Sequence, residues 1–275
     1  MLRMTDLLAA ANAPNSPQGR FWGLIPCAGV GARAIPAGAP TPDLPKQYHA
    51  VAGQPLVLHT LAAFAGVSHL EGTLVAVAPN DHFLDTYSSP AWWHVPCGGA
   101  TRADTVIGGL KALLARGAQQ HDWVLVHDAA RCLVTATQIT QLIQACENDS
   151  VGGLLAHKLP DTLKTAVTGP TGVRVASTVD RSDKWLAQTP QMFRLGALLD
   201  ALTRMGAAAT DEASAMEAMG HRPKLIAGGA QNFKVTYPDD FALAEAVLTQ
   251  RGGSATLERY KGKRDQPQPT GNPFF

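Results

Sequence analysis

The chain has 275 residues, and 23 Lys and Arg against 22 Asp and Glu leave a net charge of +1. A chain of this length buries roughly 70–75% of its unfolded surface, and 45% hydrophobic residues exclude wholesale disorder. The even charge argues against a broad nucleic-acid-binding face, and no apolar run approaches the ~20 residues of a bilayer span, so neither nucleic acid nor membrane is an expected partner.

Residues 1–20 lack hydrophobic periodicity and read as a disordered leader, as does the Pro-rich tail 253–275. Between them, 21–252 reads as one domain in which strand-like and helix-like segments alternate. Phe21–Cys27 is a short apolar run ending in a Gly-rich turn, the pattern of a buried parallel strand. Leu56–Phe64 has helical apolar spacing, Gly72–Ala78 reads as a strand, Thr101–Arg116 as a helix and Trp123–His127 as a third strand. Thr135–Glu147 reads as a helix and Gly152–Ala156 as a fourth strand.

Residues 157–181 break the rhythm. Thr162–Thr168 and Val173–Val179 flank Gly169-Pro170-Thr171-Gly172, which predicts a β-hairpin. A hairpin inserted in an α/β core must pack on something, and a second subunit is one candidate. Further on, Leu195–Met205 and Asp211–Met219 read as helices, Leu225–Ala227 and Phe233–Thr236 as strands, and Asp239–Gln250 as the last helix. The alternation implies an α/β fold: a mostly parallel sheet with helices on both faces, whose ligands bind beyond the carboxyl ends of the strands.

The residues just after each predicted strand therefore carry the chemistry. After the first come Pro26-Cys27-Ala28-Gly29-Val30-Gly31-Ala32-Arg33, where Gly29 and Gly31 let backbone N–H groups approach an anion and Arg33 adds a fixed cation. No GK[ST] follows, so this is not a Walker A loop, and Arg33 would crowd a dinucleotide turn. Lys46, within Leu44-Pro45-Lys46-Gln47-Tyr48, is a second cation suited to phosphate. Gly98-Gly99 opens the helix that starts near Thr101, an N-cap that by itself accounts for the local residues, and places Arg102 and Thr105 where a base or phosphate could sit. Asp128, after the third strand in Val126-His127-Asp128-Ala129-Ala130-Arg131, could hold Mg²⁺ on a nucleotide triphosphate or simply cap a helix. His127 reads as structural. Cys27, Cys97, Cys132 and Cys146 form no CxxC pair and no zinc-ligand spacing, which points to a reducing, cytoplasmic compartment.

These segments, in order, PCAGVGAR, LPKQY, GGATRADTV, VHDAARCLV, DTLK, TVDRSDKW, AQTPQMF, TDEASAMEAMG and NFKVTYPDD, resemble the 2-C-methyl-D-erythritol 4-phosphate cytidylyltransferase family of non-mevalonate isoprenoid biosynthesis across roughly residues 21–250. The resemblance implies a Rossmann-like nucleotide-diphospho-sugar transferase fold with an extended β-arm at about 157–181, exchanged in a homodimer. It implies transfer of CMP from CTP to 2-C-methyl-D-erythritol 4-phosphate with Mg²⁺, releasing pyrophosphate. Carried over by position, Arg33 and Lys46 stabilise charge at the CTP phosphates, and Ala28, Gly29 and Gly31 form the triphosphate cradle. Gly99, Arg102 and Thr105 match the cytidine-binding loop, Ala129 adjoins the nucleotide, and Asp128 matches the metal ligand. Arg181 and Lys234 match residues that position the substrate phosphate, with Arg131, Thr162 and Thr189 in support; Thr162 and Arg181 would come from the partner's arm.

Three positions depart from the family pattern. The Ala34–Pro45 stretch is longer and richer in Pro and Gly than usual, Cys132 replaces a Pro, and Lys184 replaces an apolar residue before Trp185. The last two leave the charged positions intact and predict altered packing alone. A cytidylyltransferase for another polyol phosphate, such as ribitol 5-phosphate, and a non-catalytic nucleotide-binding module are the alternatives; intact Arg33, Lys46 and Asp128 weigh against the second. About 25 residues follow Gln250, too few to predict a second domain.

Overall fold

Continuous apolar runs make the central strands, because both faces of each are covered by helices. The computed structural model describes residues 19–29 and 44–252. The leader 1–18, the tail 253–275 and the positions 30–43 lie outside the described residues, and with them Gly31, Arg33 and most of the long loop. Gly19 and Arg20, read above as leader, belong to the fold. Gly19 is buried, and Arg20 donates through its backbone N–H to Asp122 at 2.9 Å.

In chain order the elements are β1 (Phe21–Pro26), β2 (Ala50–Val51), β3 (Gln54–Pro55), α1 (Leu56–Ala65), β4 (Leu70–Ala76), β5 (Trp92–Val95), α2 (Arg102–Ala115), β6 (Trp123–Val126), α3 (Ala136–Cys146) and β7 (Gly152–Lys158). There follow β8 (Leu163–Gly169), β9 (Gly172–Val179), β10 (Trp185–Arg194), α4 (Leu195–Met205), α5 (Glu212–Ala218), β11 (Lys224–Ala227) and α6 (Pro238–Gln250). Seven strands form one sheet in the order β11-β7-β10-β6-β1-β4-β5. All run parallel except β10, which lies antiparallel between β6 and β7.

The strand alternation divides the core. Ile25, Trp123, Leu125 and Met192 face the layer that holds α1 and α3. Trp22, Leu24, Val124, Val126 and Phe193 face α2, α4 and α5. Each such fully buried side chain contributes roughly 1.5–3 kcal/mol of transfer free energy. Local signals set the helix starts: Thr101 with Asp104, Thr135 with Gln138 and Asp211 with Ser214 form reciprocal capping boxes. In α4, Leu195, Leu198, Ala201 and Leu202 fall on one buried stripe.

Two readings change. Phe233–Thr236 is not a strand. It makes one backbone bond to the fold, Val235 N–H to Ala130 C=O at 2.9 Å, with no ladder around it. Its apolar residues are drawn instead into a third core patch with Val51, Leu133, Phe241 and Leu248. Trp185–Arg194, which carried no strand expectation, is β10. Pro190 cannot donate to a ladder, and the register shifts between Ala187 and Gln191 on the β7 side, so the proline sits in the irregular stretch.

The predicted hairpin is present as β8 and β9, which pair only with each other among the described residues. Its residues are almost all exposed.

Candidate active site

After β1 the chain crosses to β4 on one side, and after β5 it crosses to β6 on the other. That reversal opens a crevice beyond the carboxyl ends of β1 and β6, where open α/β sheets bind ligands. A cleft of about 290 Å³ lies there. Cys27, Ala28 and Gly29 line it after β1, and Asp128, Ala129 and Ala130 after β6. Gly99 through Arg102, with Thr105, close one side, and Lys46, Gln47 and Lys234 close the other. Of the predicted site residues, Ala28, Gly29, Lys46, Gly99, Arg102, Thr105, Asp128, Ala129 and Lys234 thus meet at one cleft.

Asp128 organises it. The residue is 8% exposed. Arg102 Nε donates to its Oδ1 at 2.9 Å, Lys234 Nζ lies 2.8 Å from Oδ2, and Arg131 Nε is 3.8 Å from Oδ2. Burial would raise its pKa, but Arg102, Lys234 and Arg131 outweigh burial and hold the carboxyl far below the usual range. Asp128 is therefore an anion at any working pH. Behind it, Thr189 Oγ1 accepts from the Asp128 N–H at 3.1 Å. His127 Nε2–H donates to the Arg131 carbonyl at 3.1 Å, which leaves Nδ1 to accept from the Thr189 hydroxyl at 3.0 Å. Burial lowers the His127 pKa to about 4, so it is a neutral brace rather than a proton carrier. Thr189 and Arg131 shape the site from behind: Arg131 also donates to the Asn232 carbonyl at 2.7 Å.

Arg102 and Thr105 line the cleft with their polar groups already engaged. Both Arg102 Nη atoms donate to Glu212, at 2.7 and 3.1 Å. Thr105 Oγ1 accepts from the Gly99 N–H at 3.1 Å and donates to the Thr101 carbonyl at 2.9 Å. The Thr105 hydroxyl is thereby turned back on the loop, whereas Arg102 keeps two of its five N–H groups beyond its bonds to Glu212 and Asp128. The loop needs its glycines for close approach: a Cβ on Gly98 would meet the Ala28 Cβ at 2.3 Å, and one on Gly99 would meet the Asp104 Cβ at 2.3 Å. A Cβ on Gly29 would meet nothing within 4 Å among the described residues, and Gly29 lines the cleft.

Lys46 Nζ donates to the Val235 carbonyl at 2.5 Å. Together with Val235 N–H to Ala130, this pins the segment that presents Lys234. Thr162 and Arg181 are not brought to this cleft. Both are exposed at the base of the hairpin, and Arg181 Nη1 donates to the Leu159 carbonyl at 3.2 Å. Cys132, one of the departures, is buried in the patch with Leu133 and Val235, and Lys184 pairs with Asp183 at 2.6 Å on the surface.

Two residues enter the site that sequence reasoning left without a role. Gln47 is buried and donates to the Cys27 carbonyl at 2.9 Å, fixing the turn after β1. Glu212 is fully buried. Its sequence signal is only that of an acid in the first turn of a helix.

The four cations Lys46, Arg102, Arg131 and Lys234 outnumber the carboxylates of Asp128 and Glu212 around the cleft. Cys27 is the one thiol at its wall, and burial pushes it up to about 12, out of reach of thiolate chemistry at neutral pH. For a metal ion, Asp128 offers one ionised carboxylate. No group of three His, Cys, Asp or Glu among the described residues could hold one alone. That donor set fits Mg²⁺ bound through one carboxylate plus substrate phosphate oxygens.

Fold and site together define an α/β protein of the nucleotidyltransferase kind, built to hold a polyanion at its switch point. Residues 22–250 match the family 2-C-methyl-D-erythritol 4-phosphate cytidylyltransferase, IspD, and the chain belongs to that family. It is 61% identical over 234 residues to the bifunctional enzyme IspD/IspF of Albidiferax ferrireducens, covering 84% of itself and 54% of that protein, about half its length. It is 48% identical over 234 residues to a 2-C-methyl-D-erythritol 4-phosphate cytidylyltransferase of Paraburkholderia phymatum, covering 83% of itself and 96% of that protein. Among solved structures it resembles a 4-diphosphocytidyl-2C-methyl-D-erythritol synthase, with a TM-score of 0.72 and 39% identity over 85% of this chain and 100% of that one. The Francisella tularensis 2-C-methyl-D-erythritol 4-phosphate cytidylyltransferase matches with a TM-score of 0.68 and 31% identity over 83% and 99%.

Proposed function

We propose that the chain joins CTP and 2-C-methyl-D-erythritol 4-phosphate to give 4-diphosphocytidyl-2-C-methyl-D-erythritol and pyrophosphate. A phosphate oxygen of the second substrate attacks the CTP α-phosphorus in line; the new P–O bond forms as the bond to the β-phosphate bridge breaks. The nucleophile is already an anion, so no general base is needed. The work is to bring two anions together and to stabilise the charge that builds up at the α-phosphorus. The observation that carries this reading is the cation-lined cleft at the switch point, where the described residues include no nucleophile-and-base pair.

Lys46 and Lys234 supply point charges to the phosphates, with Arg33 as a further cation on the loop after Gly29. Ala28, Gly29 and Gly31 cradle the triphosphate, and Gly99 and Ala129 bound the nucleoside. Asp128 would hold Mg²⁺, which when bound neutralises charge on the phosphates. Thr162 and Arg181 serve the second substrate from a partner subunit's hairpin. Their absence from the described lining of this chain's own cleft and the exposure of Val173 and Val175, at 71% and 64%, support a homodimer in which hairpins are exchanged. Four free cysteines support a cytoplasmic setting.

The test is pyrophosphate release from CTP with Mg²⁺, with and without 2-C-methyl-D-erythritol 4-phosphate. ATP, GTP, UTP and ribitol 5-phosphate serve as controls. Release is expected only when CTP and methylerythritol phosphate are both present. Release with ribitol 5-phosphate instead would keep the mechanism and discard the substrate.

A further inference from the structure

Glu212 has 0% exposure and bonds to Arg102 through both carboxylate oxygens. It does not line the cleft, whereas Arg102 and Asp128 do. A buried ion pair is weak evidence of a stabilising role, because an apolar pair of similar volume often serves stability as well or better. Geometry gives the charge a purpose. The guanidinium is a rigid planar fork. Once both Nη atoms are seated on Glu212, the direction of Nε is fixed, and it meets Asp128 Oδ1 at 2.9 Å. The opposing charges of Glu212 and Asp128 together keep Arg102 protonated against burial.

We infer that Glu212 is a positioning residue: acting through Arg102 from behind the cleft wall, it fixes the orientation of the Asp128 carboxylate without touching substrate. Its effect on turnover rests on the reaction proposed above.

The experiment uses the full chain and the variants Glu212→Gln, Arg102→Lys and the double variant Arg102→Leu/Glu212→Leu. One readout is independent of activity. The Arg102 Nε–H signal, assigned in ¹⁵N spectra by its loss in Arg102→Lys, is expected to be resolved and protected from exchange in the unmodified chain. It is expected to broaden or exchange rapidly in Glu212→Gln. In kinetics, Glu212→Gln is expected to lower kcat tenfold or more with the KM for CTP changed less than threefold. The double variant is expected to keep the thermal midpoint and to leave kcat unrestored. An Arg102 signal unchanged in Glu212→Gln would overturn the inference, and so would a double variant turning over within threefold of the unmodified chain. If the unmodified chain is silent with every substrate pair, the functional reading falls, and the Arg102 signal alone decides the role of Glu212.

Discussion

The cleft and the hairpin β8–β9 are opposites in construction. Around the cleft, each described charged side chain has a partner within the fold: Asp128 is buried among three cations, and Glu212 is buried on Arg102. The hairpin buries almost nothing among the described residues, and Val167, Val173 and Val175 stand open to solvent. Cross-strand pairing puts Val175 beside Ala166 and Val173 beside Thr168 on one face, with Val167 beside Arg174 on the other. A two-stranded ribbon is marginal by itself, so its length and exposed valines make sense only against another surface. The difference teaches that the two ends of the proposed reaction are built differently. On the function proposed above, the nucleotide end would be pre-organised inside one chain, and the end for the second substrate would be completed by a second copy.

Removing a cation from the pre-organised end has the largest expected effect. Lys46→Ala is expected to lower turnover at least a hundredfold, ~3–4 kcal/mol by analogy with the loss of one oxyanion donor. The far-ultraviolet circular dichroism should stay the same. Near-normal pyrophosphate release would remove Lys46 from its role.

The next effect breaks the comparison directly. Arg181→Ala is expected to raise the KM for 2-C-methyl-D-erythritol 4-phosphate about tenfold, ~1.4 kcal/mol, with CTP affinity by calorimetry unchanged. If hairpins are exchanged, unfolding and refolding Lys46→Ala and Arg181→Ala together rebuilds one intact site in each mixed dimer. Assayed with 2-C-methyl-D-erythritol 4-phosphate well below its KM, where Arg181→Ala sites keep only about a tenth of normal turnover, roughly a quarter should return, since half of randomly formed dimers are mixed and each has one of two sites whole. A return of only about a twentieth, the residual activity of Arg181→Ala alone, would place Arg181 in the same chain as the cleft it serves.

The buried half was also the more legible in sequence. The boundaries of β1, β6 and α4 follow from short apolar runs and one amphipathic stripe, and Thr101 announces α2. What escaped were features whose meaning depends on distant residues. β10 reads poorly because Pro190 interrupts its ladder and because it runs against its neighbours. Phe233–Thr236 has strand composition, but its neighbours offer a single backbone acceptor at Ala130. Lys46, Asp128 and Lys234 were legible because each follows a turn signal or a recognisable motif. Glu212 was not, since an acid opening a helix is ordinarily exposed and only the tertiary approach of Arg102 makes it buried. Arg102 and Thr105 line the cleft with the other predicted residues, but a linear motif cannot reveal that Arg102 is also held by Glu212 and Asp128, or that the Thr105 hydroxyl turns back on Thr101.

The smallest perturbation disturbs no charged group. Cys27 sits in the cleft wall, where burial pushes its thiol up to about 12, whereas a Val173→Cys variant would put a thiol on the hairpin face. Only the thiolate reacts. At pH 8 a group titrating near 12 is about 10⁻⁴ ionised, and an ordinary exposed thiol near 8.5 is roughly a quarter ionised. Alkylation of the introduced thiol should therefore be on the order of a thousandfold faster than that of Cys27. Raising the pH from 8 to 9 should speed Cys27 about tenfold, because it is still far below its pKa, and should speed the hairpin thiol only about threefold, because it is nearing full ionisation. Rates are read by mass spectrometry of peptides from briefly treated protein. If the hairpin thiol is slow at low micromolar protein and accelerates on dilution, a second copy covers that face and the second half of the site is assembled between chains. If it is fast at every concentration, the face stays bare and the hairpin must find its surface another way.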